Sequence, residues 1–253
     1  MRLSSFVAST VIASAGLLSQ TTANADTFFG VYAGAGTWQQ EFSGDVTSGV
    51  VDVSIEDDLG LEDDNTNVFY VAVEHGVPVL PNVRAQFFDI DVAGDNVLSR
   101  NIEFNGQTFV VSDLVSTQVE LSQSDAVLYY EVLDNVVSLD LGLTVSWVEG
   151  RLEVASTTDS AQADFDELVP MLYAKARVDL PFTGVWAGVE GQGIAYEGNQ
   201  VNEYNAQIGW ESDIGLGIEA GWRSVSIELE DFDQVANANL EVDGPYAALN
   251  YHF

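Results

Sequence analysis

The sequence predicts an all-β fold: a transmembrane, antiparallel, up-and-down β-barrel of ten strands that follows a cleaved signal peptide. Three observations support this prediction. The N-terminal segment has the order of a secretory signal, the remaining chain alternates apolar and polar residues with a period of two, and the chain ends on an aromatic residue. Together they predict a signal peptide at 1–25 and one barrel domain at 26–253.

The N-terminal segment has the three parts of a signal peptide. Arg2 precedes an apolar stretch over residues 6–18, and Ala23-Asn24-Ala25 then provides a small-x-small cleavage site. The stretch is shorter than the roughly 20 residues that a spanning helix needs. A buried N-terminal helix is the alternative. No later apolar run approaches spanning length, which excludes a protein anchored by several membrane helices.

Alternation with a period of two predicts the strands. In the clearest segment Leu139, Leu141 and Leu143 alternate with Asp140 and Gly142, the pattern of a strand with two different faces. The ten predicted strands lie at 27–40, 66–76, 82–94, 117–133, 136–149, 164–180, 184–196, 202–212, 216–229 and 241–253. No mature segment has a sustained apolar period of 3.6 residues, so no helix is predicted there.

The connections between these strands alternate in length. The short ones lie at 76–82, 134–135, 181–184 and 213–215. Longer, acidic connections separate them, and this alternation with an even strand number is typical of outer-membrane barrels with both termini in the periplasm. Eight strands are the alternative, if two weaker segments belong to loops. Asn105-Gly106 predicts that the third and fourth strands continue beyond the membrane as a hairpin.

A closed sheet is favoured over a soluble β-sandwich, which would also alternate. An open sheet edge in lipid leaves backbone N–H and C=O groups unpaired at a high cost in free energy. The polar faces carry many Gly, Ala and Ser residues with few charges, which fits a crowded barrel interior.

Two strands change the parity of their apolar residues. In the third strand the apolar face passes from Phe87 to Phe88, and in the ninth it passes from Trp222 to Val225. A β-bulge would explain such a shift, and so would exit of the strand from the membrane. Both explanations stay open at this point.

The last strand carries Leu249, Tyr251 and Phe253 on one face and ends on that aromatic. Bacterial outer-membrane barrels commonly end in this way. We therefore expect the outer-membrane assembly machinery to recognise this strand.

Several segments resemble an uncharacterised family of Gram-negative outer-membrane β-barrel proteins. They are DDLGLEDDN (57–65), PVLPNVR (78–84), LYYEVLDN (128–135), LDLGLTV (139–145), PMLYAKARVDLPFTG (170–184) and GPYAALNYHF (244–253). The resemblance covers essentially the whole mature chain. It implies the barrel and its location in the outer membrane, and it offers no catalytic residues.

The charge balance excludes several function classes. The 253 residues include 40 acidic and 7 basic ones, a formal net charge of −33. Nucleic-acid binding requires a basic surface, which this chain lacks. The hydrophobic content of 47% is that of a folded protein. The absence of Cys excludes disulfide scaffolds, thiol catalysis and Cys-type zinc sites.

Parity places a set of charged residues inside the barrel, where unpaired charges are costly and ion pairs are expected. The predicted lumen residues are Arg84, Lys175, Arg177, Arg223, Glu74, Glu131, Asp140, Asp179, Glu190, Glu211 and Glu219. A closed, ion-paired core is favoured, because a ten-stranded barrel is only slightly wider than the eight-stranded kind that side chains fill. A selective pore lining is the alternative.

The first long connection, residues 41–65, contains nine acidic residues and no basic one. Clustered carboxylates are ligands suited to Ca²⁺ or Mg²⁺. The candidates for a divalent-cation site are Asp57, Asp58, Glu62, Asp63 and Asp64. The alternative is a solvated acidic loop.

No catalytic or cofactor site is predicted. Outer-membrane enzymes mostly use a His near the outer rim, whereas His75 and His252 both fall at the predicted periplasmic end. We therefore expect a non-enzymatic integral outer-membrane protein with a structural or surface-interaction role among outer-membrane lipids and lipopolysaccharide. The alternative function is a narrow pore or transporter for small solutes.

Overall fold

The computed structural model describes residues 29–48, 51–232 and 235–253; the predicted signal peptide at 1–25 lies outside them. The strands are β1 (Phe29–Ser48), β2 (Val51–Ser54), β3 (Asp64–His75), β4 (Asn82–Val97), β5 (Ile102–Phe104), β6 (Gln107–Phe109), β7 (Leu114–Leu133), β8 (Val137–Ala155), β9 (Ser160–Asp179), β10 (Val185–Tyr196), β11 (Asn199–Glu211), β12 (Leu216–Phe232) and β13 (Val235–His252). In the described part of the chain, no helix has the length and apolar character needed to span a membrane.

Ten of these strands form one closed antiparallel sheet, as predicted. Neighbours in the order β1, β3, β4, β7 and on to β13 are paired, and β13 returns to pair with β1. The closing ladder runs from Tyr32 opposite His252 to Thr47 opposite Asn237. It ends with the Phe253 N–H donating to the Val31 carbonyl at 2.9 Å. Each of the ten strands is therefore paired with a neighbour on both sides. Away from the short turns, β9 before Leu172 and β4 after Phe88 extend past the shorter strands β10 and β3.

An apolar band surrounds the barrel near the four short turns. It consists of outward-facing, exposed side chains such as Phe69, Leu143, Leu172, Val189, Ile208 and Leu249. We call this end of the barrel the short-turn end, and the opposite end the long-loop end. β7, β8 and β9 continue past the band toward the long-loop end, where their outer faces carry Gln, Glu and Asp residues. The band has the character of a lipid-facing surface.

The connections at the long-loop end are shorter than the sequence predicts. β8 and β9 are joined across residues 156–159. Glu197 and Gly198, with φ of 49° and 91°, form a two-residue turn between β10 and β11. The β8–β9 and β10–β11 ladders run up to these turns, because each further residue pair adds backbone hydrogen bonds to the sheet.

The predicted hairpin at Asn105-Gly106 exists, but it is not a continuation of the third and fourth strands. Asn105 and Gly106, with φ of 46° and 77°, join the short strands β5 and β6 in a separate two-stranded sheet. The β4–β7 ladder ends where Leu98 exchanges backbone hydrogen bonds with residues 112 and 113. Apolar side chains on β5 and β6 then fold over the barrel and are buried.

The first long connection is also structured. β1 extends to Ser48, and β2 pairs back onto it. Residues 55–61 then turn into the barrel and contact β4. Gly60 has φ of 68°, and a Cβ on Gly94 would lie 2.0 Å from the Gly60 carbonyl oxygen. Only glycine at position 94 allows this close approach of the loop to the strand.

The two parity shifts are not β-bulges. The ladder of β4 with β7 continues in register through Phe87 and Phe88, and both ladders of β12 continue in register from Trp222 to Val225. Phe87 faces outward and is 45% exposed, whereas Phe88 faces the lumen and is 3% exposed. Val225 is likewise buried inside the barrel. The apolar side chains change faces because the interior itself becomes apolar toward the long-loop end.

We expect Phe88→Ala to lower the free energy of unfolding by about 3–5 kcal/mol, because truncation leaves a cavity in a packed core. Phe87→Ala is the matched control and should cost clearly less, since lipid or water fills the space on the outer face. Equilibrium unfolding in lipid vesicles, followed by tryptophan fluorescence, measures both. Equal losses would contradict the assignment of the two faces.

Candidate functional site in the barrel lumen

The lumen contains three layers of different chemistry. An apolar cap fills the long-loop end, a polar middle layer crosses the barrel below it, and a charged cavity lies at the short-turn end. We call these the cap, the middle layer and the short-turn cavity. Each layer takes side chains from several strands, so closure of the sheet is what assembles them.

The cap is a hydrophobic core built around Trp38, which is fully buried. Barrel strands, residues 53–61 and the β5–β6 hairpin all contribute to it. Its buried members include Phe42, Val53, Leu59, Phe88, Ile90, Leu98, Ile102, Phe104, Phe109, Val115 and Val154. Burial of this apolar surface stabilises the inserted loop and hairpin against the barrel.

An ion pair holds the inserted loop. The Arg100 guanidinium donates to the Asp58 carboxylate, whose side chain is 4% exposed, and the Ser54 N–H donates to the same carboxylate at 3.0 Å. Burial raises the pKa of Asp58, but these hydrogen bonds outweigh it and lower the pKa below its ordinary value. The Asn96 side chain also donates to the Asp58 carbonyl at 3.2 Å.

The divalent-cation candidates of the first connection are not gathered together. Asp58 is buried against Arg100, Asp64 lies in β3 opposite Gln40, and Asp57, Glu62 and Asp63 are exposed. Among the residues that the structure describes, no three His, Asp or Glu side chains are placed to share one metal ion. A divalent site at the three exposed carboxylates stays a prediction.

The middle layer is a buried hydrogen-bonded network. Arg223 donates to Glu203 at 3.1 Å, and both side chains are less than 10% exposed. The Gln123 amide donates to Glu203 and, at 3.1 Å, to Asp125. Asp125 also accepts from the Ser146 hydroxyl at 2.6 Å. The guanidinium thus pairs with Glu203, and the Gln123 amide links Glu203 to the second buried carboxylate, Asp125.

Arg223 connects the middle layer to the cap. Its guanidinium lies 5.0 Å from the ring centre of Trp38 and 4.6 Å from that of Phe88. The cation therefore contacts a carboxylate on one side and aromatic rings on the other, an arrangement that stabilises a charge away from water.

Sequence reasoning placed Arg223 in the lumen but missed Asp125 and Glu203. Parity could have found both residues. Leu128 faces outward on β7, so Asp125, three residues earlier, must face inward. Tyr204 faces outward on β11, so the preceding Glu203 must face inward as well.

The short-turn cavity has a volume of about 320 Å³. It is lined by every predicted lumen residue except Glu190 and Arg223. Arg84 pairs with Glu190 at 2.6 Å, just behind the lining, and Arg177 pairs with Asp179 at 2.7 Å. The two guanidiniums also lie over the rings of Tyr70 and Trp186, respectively.

The other carboxylates of the cavity are not paired with an arginine among the described residues. Some accept a hydrogen bond from a neutral side chain. Tyr129 donates to Glu74 at 2.8 Å, and Asn250 donates to Glu219 at 3.0 Å. Lys175 lies in register between Asp140 and Glu190. In residues 29–48, 51–232 and 235–253, no ion pair within 4.0 Å involves Lys175, Glu131 or Asp140.

We expect Arg223→Met to lower the free energy of unfolding by about 3–5 kcal/mol, because it leaves buried carboxylates without their cation. The double variant with Glu203→Gln should recover part of the loss. Arg151→Met is the control, since the exposed Arg151–Asp164 pair contributes little. Similar losses for Arg223→Met and Arg151→Met in urea unfolding would refute this role of the middle layer.

The Asp58–Arg100 pair should make stability depend on pH in the acidic range. A lowered folded-state pKa stabilises the protein above the unfolded-state pKa of about 4, and the contribution is lost as the pH falls through the folded-state value. The difference in urea midpoint between wild type and Asp58→Asn should therefore be present at neutral pH and shrink in acid. Exposed Asp57→Asn should show no such difference; a constant difference at all pH values for Asp58→Asn would argue against the pair.

Solved structures of outer-membrane β-barrels share this fold. The outer membrane protease OmpT from Escherichia coli matches with a TM-score of 0.51 and 11% identity, over 92% of this chain and 99% of that one. The translocator domain of the autotransporter NalP from Neisseria meningitidis has a TM-score of 0.45 and 9% identity, covering 88% of each chain. No protein-family model and no curated protein matches the sequence. The chain thus has the fold of a Gram-negative outer-membrane β-barrel, and the similarity to OmpT extends to the fold alone.

Proposed function

We propose that the protein is a non-enzymatic, non-conducting barrel of the outer membrane with a structural or surface-interaction role. Its short-turn end and both termini face the periplasm in this proposal. The observation that carries it is the filling of the lumen by the middle layer and the cap. A barrel whose lumen is filled does not conduct solutes, and its long-loop end instead offers a surface to other molecules.

The filling is continuous across the barrel. At the level of the cap, Trp38, Val115, Thr117 and Val154 are all fully buried. Below them, the Arg223 guanidinium and the Gln123 amide join β12, β7 and β11 across the lumen. Ions would have to displace both a hydrophobic core and a paired charge network to pass, which argues against the narrow pore.

The outer end offers a surface for interaction. Val97 and Leu114 face each other at the end of the β4–β7 ladder, with Val110 and Val111 in the adjoining turn, and all four are about half exposed. Contiguous exposed apolar groups beside polar residues are typical of interaction sites. The exposed carboxylates Asp57, Glu62 and Asp63 would share the divalent cations that bridge lipopolysaccharide.

The positions of the histidines support a non-enzymatic role. Both histidines of the sequence lie at the short-turn end. The His75 ring accepts from the Val77 N–H at 3.3 Å, and the His252 ring stacks on Tyr32 at 4.0 Å. These contacts give both rings structural partners, far from the long-loop end where a surface substrate would arrive.

The last strand supports recognition by the assembly machinery. Phe253 is exposed on the outer face, and its ring packs edge-on against Tyr251 at 4.4 Å. The aromatic face of the strand is thus presented to a partner or to lipid even in the closed barrel.

Single-channel recording in planar lipid bilayers tests the proposal. The purified protein should give no steady openings above the lipid background, while a general porin in the same preparation gives large ones. A variant with Phe104 and Phe109 changed to Ser should stay closed as well, because the middle layer still crosses the lumen. Steady, large openings of the wild-type protein would establish the pore instead.

A further inference from the structure

The short-turn cavity has the form of a ligand site rather than of a filled core. Its volume of about 320 Å³ falls within the range of small-molecule pockets. Exposed turn residues Asp134 and Asn135 lie at its rim, so it opens at the short-turn end. We propose that this cavity binds a small linear organic cation carrying primary ammonium groups, of the polyamine class. This inference is independent of the proposed surface role.

The charge of the cavity wall is strongly negative. Arg84 and Arg177 are neutralised by Glu190 and Asp179, as described above. Lys175 is then the remaining permanent cation of the lining. The carboxylates of the described cavity lining that have no arginine partner are Glu74, Glu131, Asp134, Asp140, Glu211 and Glu219. His252, 3.4 Å from Glu211, adds at most one further positive charge.

Two of these carboxylates stand directly opposite each other. Glu131 on β7 and Asp140 on β8 are cross-strand partners, and like charges in such a pair destabilise a sheet. Asp140 is 6% exposed, and no donor in the described residues reaches its Oδ1 atom. A buried, unpaired carboxylate oxygen is costly unless a cation or donor is bound.

The wall next to Asp140 suits an alkylammonium ion. The next inward residue of β8 is Gly142, which lies in register between Tyr129 on β7 and Tyr173 on β9. Because glycine has no side chain, the two tyrosine rings approach to 5.9 Å. Aromatic faces attract ammonium groups and pack against methylene chains.

An organic cation fits these groups better than a metal ion. Where the structure describes the chain, it places no three carboxylates or imidazoles for common ligation. The carboxylates are instead distributed around the wall of the cavity. Spaced carboxylates with aromatic surface between them match spaced ammonium groups joined by an apolar chain.

Isothermal titration of spermidine into the full-length protein in a neutral detergent tests the proposal. At about 0.15 M salt, where surface charges are screened, we expect saturable binding of one molecule. Asp140→Asn should weaken the affinity by about 30-fold, since it removes one partner of a buried charge pair. Lys175→Met should strengthen it, because the competing cation is gone.

Two controls separate the cavity from general acidity. Exposed Asp166→Asn removes the same charge from the long-loop end and should leave the affinity unchanged, and Ca²⁺ at the same concentration should not displace spermidine. Circular dichroism confirms that each variant is folded. Absence of saturable heat, equal weakening by Asp166→Asn and Asp140→Asn, or displacement by Ca²⁺ would each overturn the proposal. Failure of Lys175→Met to strengthen binding would also count against it.

Discussion

The structure depends on one constraint: in lipid, every backbone N–H and C=O group must be paired within the protein. The pairing of β13 with β1 meets it, and it brings the first described strand of the chain beside the last. Once the sheet is closed, one face of every strand points into a lumen of fixed width. Ten strands leave more room than eight, so the remaining question for this fold is how the interior is filled.

The two ends of the barrel interior differ in their chemistry. Toward the long-loop end the chain uses hydrophobic burial, with a loop and a hairpin folded inward around Trp38. Toward the short turns, arginines that stack on aromatic rings and pair with carboxylates line the wall and leave a cavity between them. Arg223 stands at the boundary and contacts both kinds of surface. The same strands therefore face lipid and a polar lumen in one half, and water and an apolar core in the other.

This arrangement gives the net charge of −33 an uneven distribution. Basic residues are concentrated in the lumen and at the Asp58–Arg100 contact, while many acids remain on the outer surface of the long-loop end. The solved structure of OmpT, an outer membrane protease, has the same fold at 11% identity. Fold therefore does not decide function here, and the contents of the lumen and the outer end must do so.

The alternation of single strands determined the barrel, the strand number and the inward side of residues such as Arg84 and Asp140, because side-chain direction in a strand has a period of two. It also located the turn at Asn105-Gly106, whose backbone preference is local. The sequence could not distinguish an exit from the membrane from an apolar interior at Phe88, since both reverse the same pattern. Nor could it show that the acidic first connection turns inward at Leu59, or that Gln123 links Asp125 to the Arg223–Glu203 pair. These are contacts between residues far apart in the chain, and only closure of the sheet brings them together.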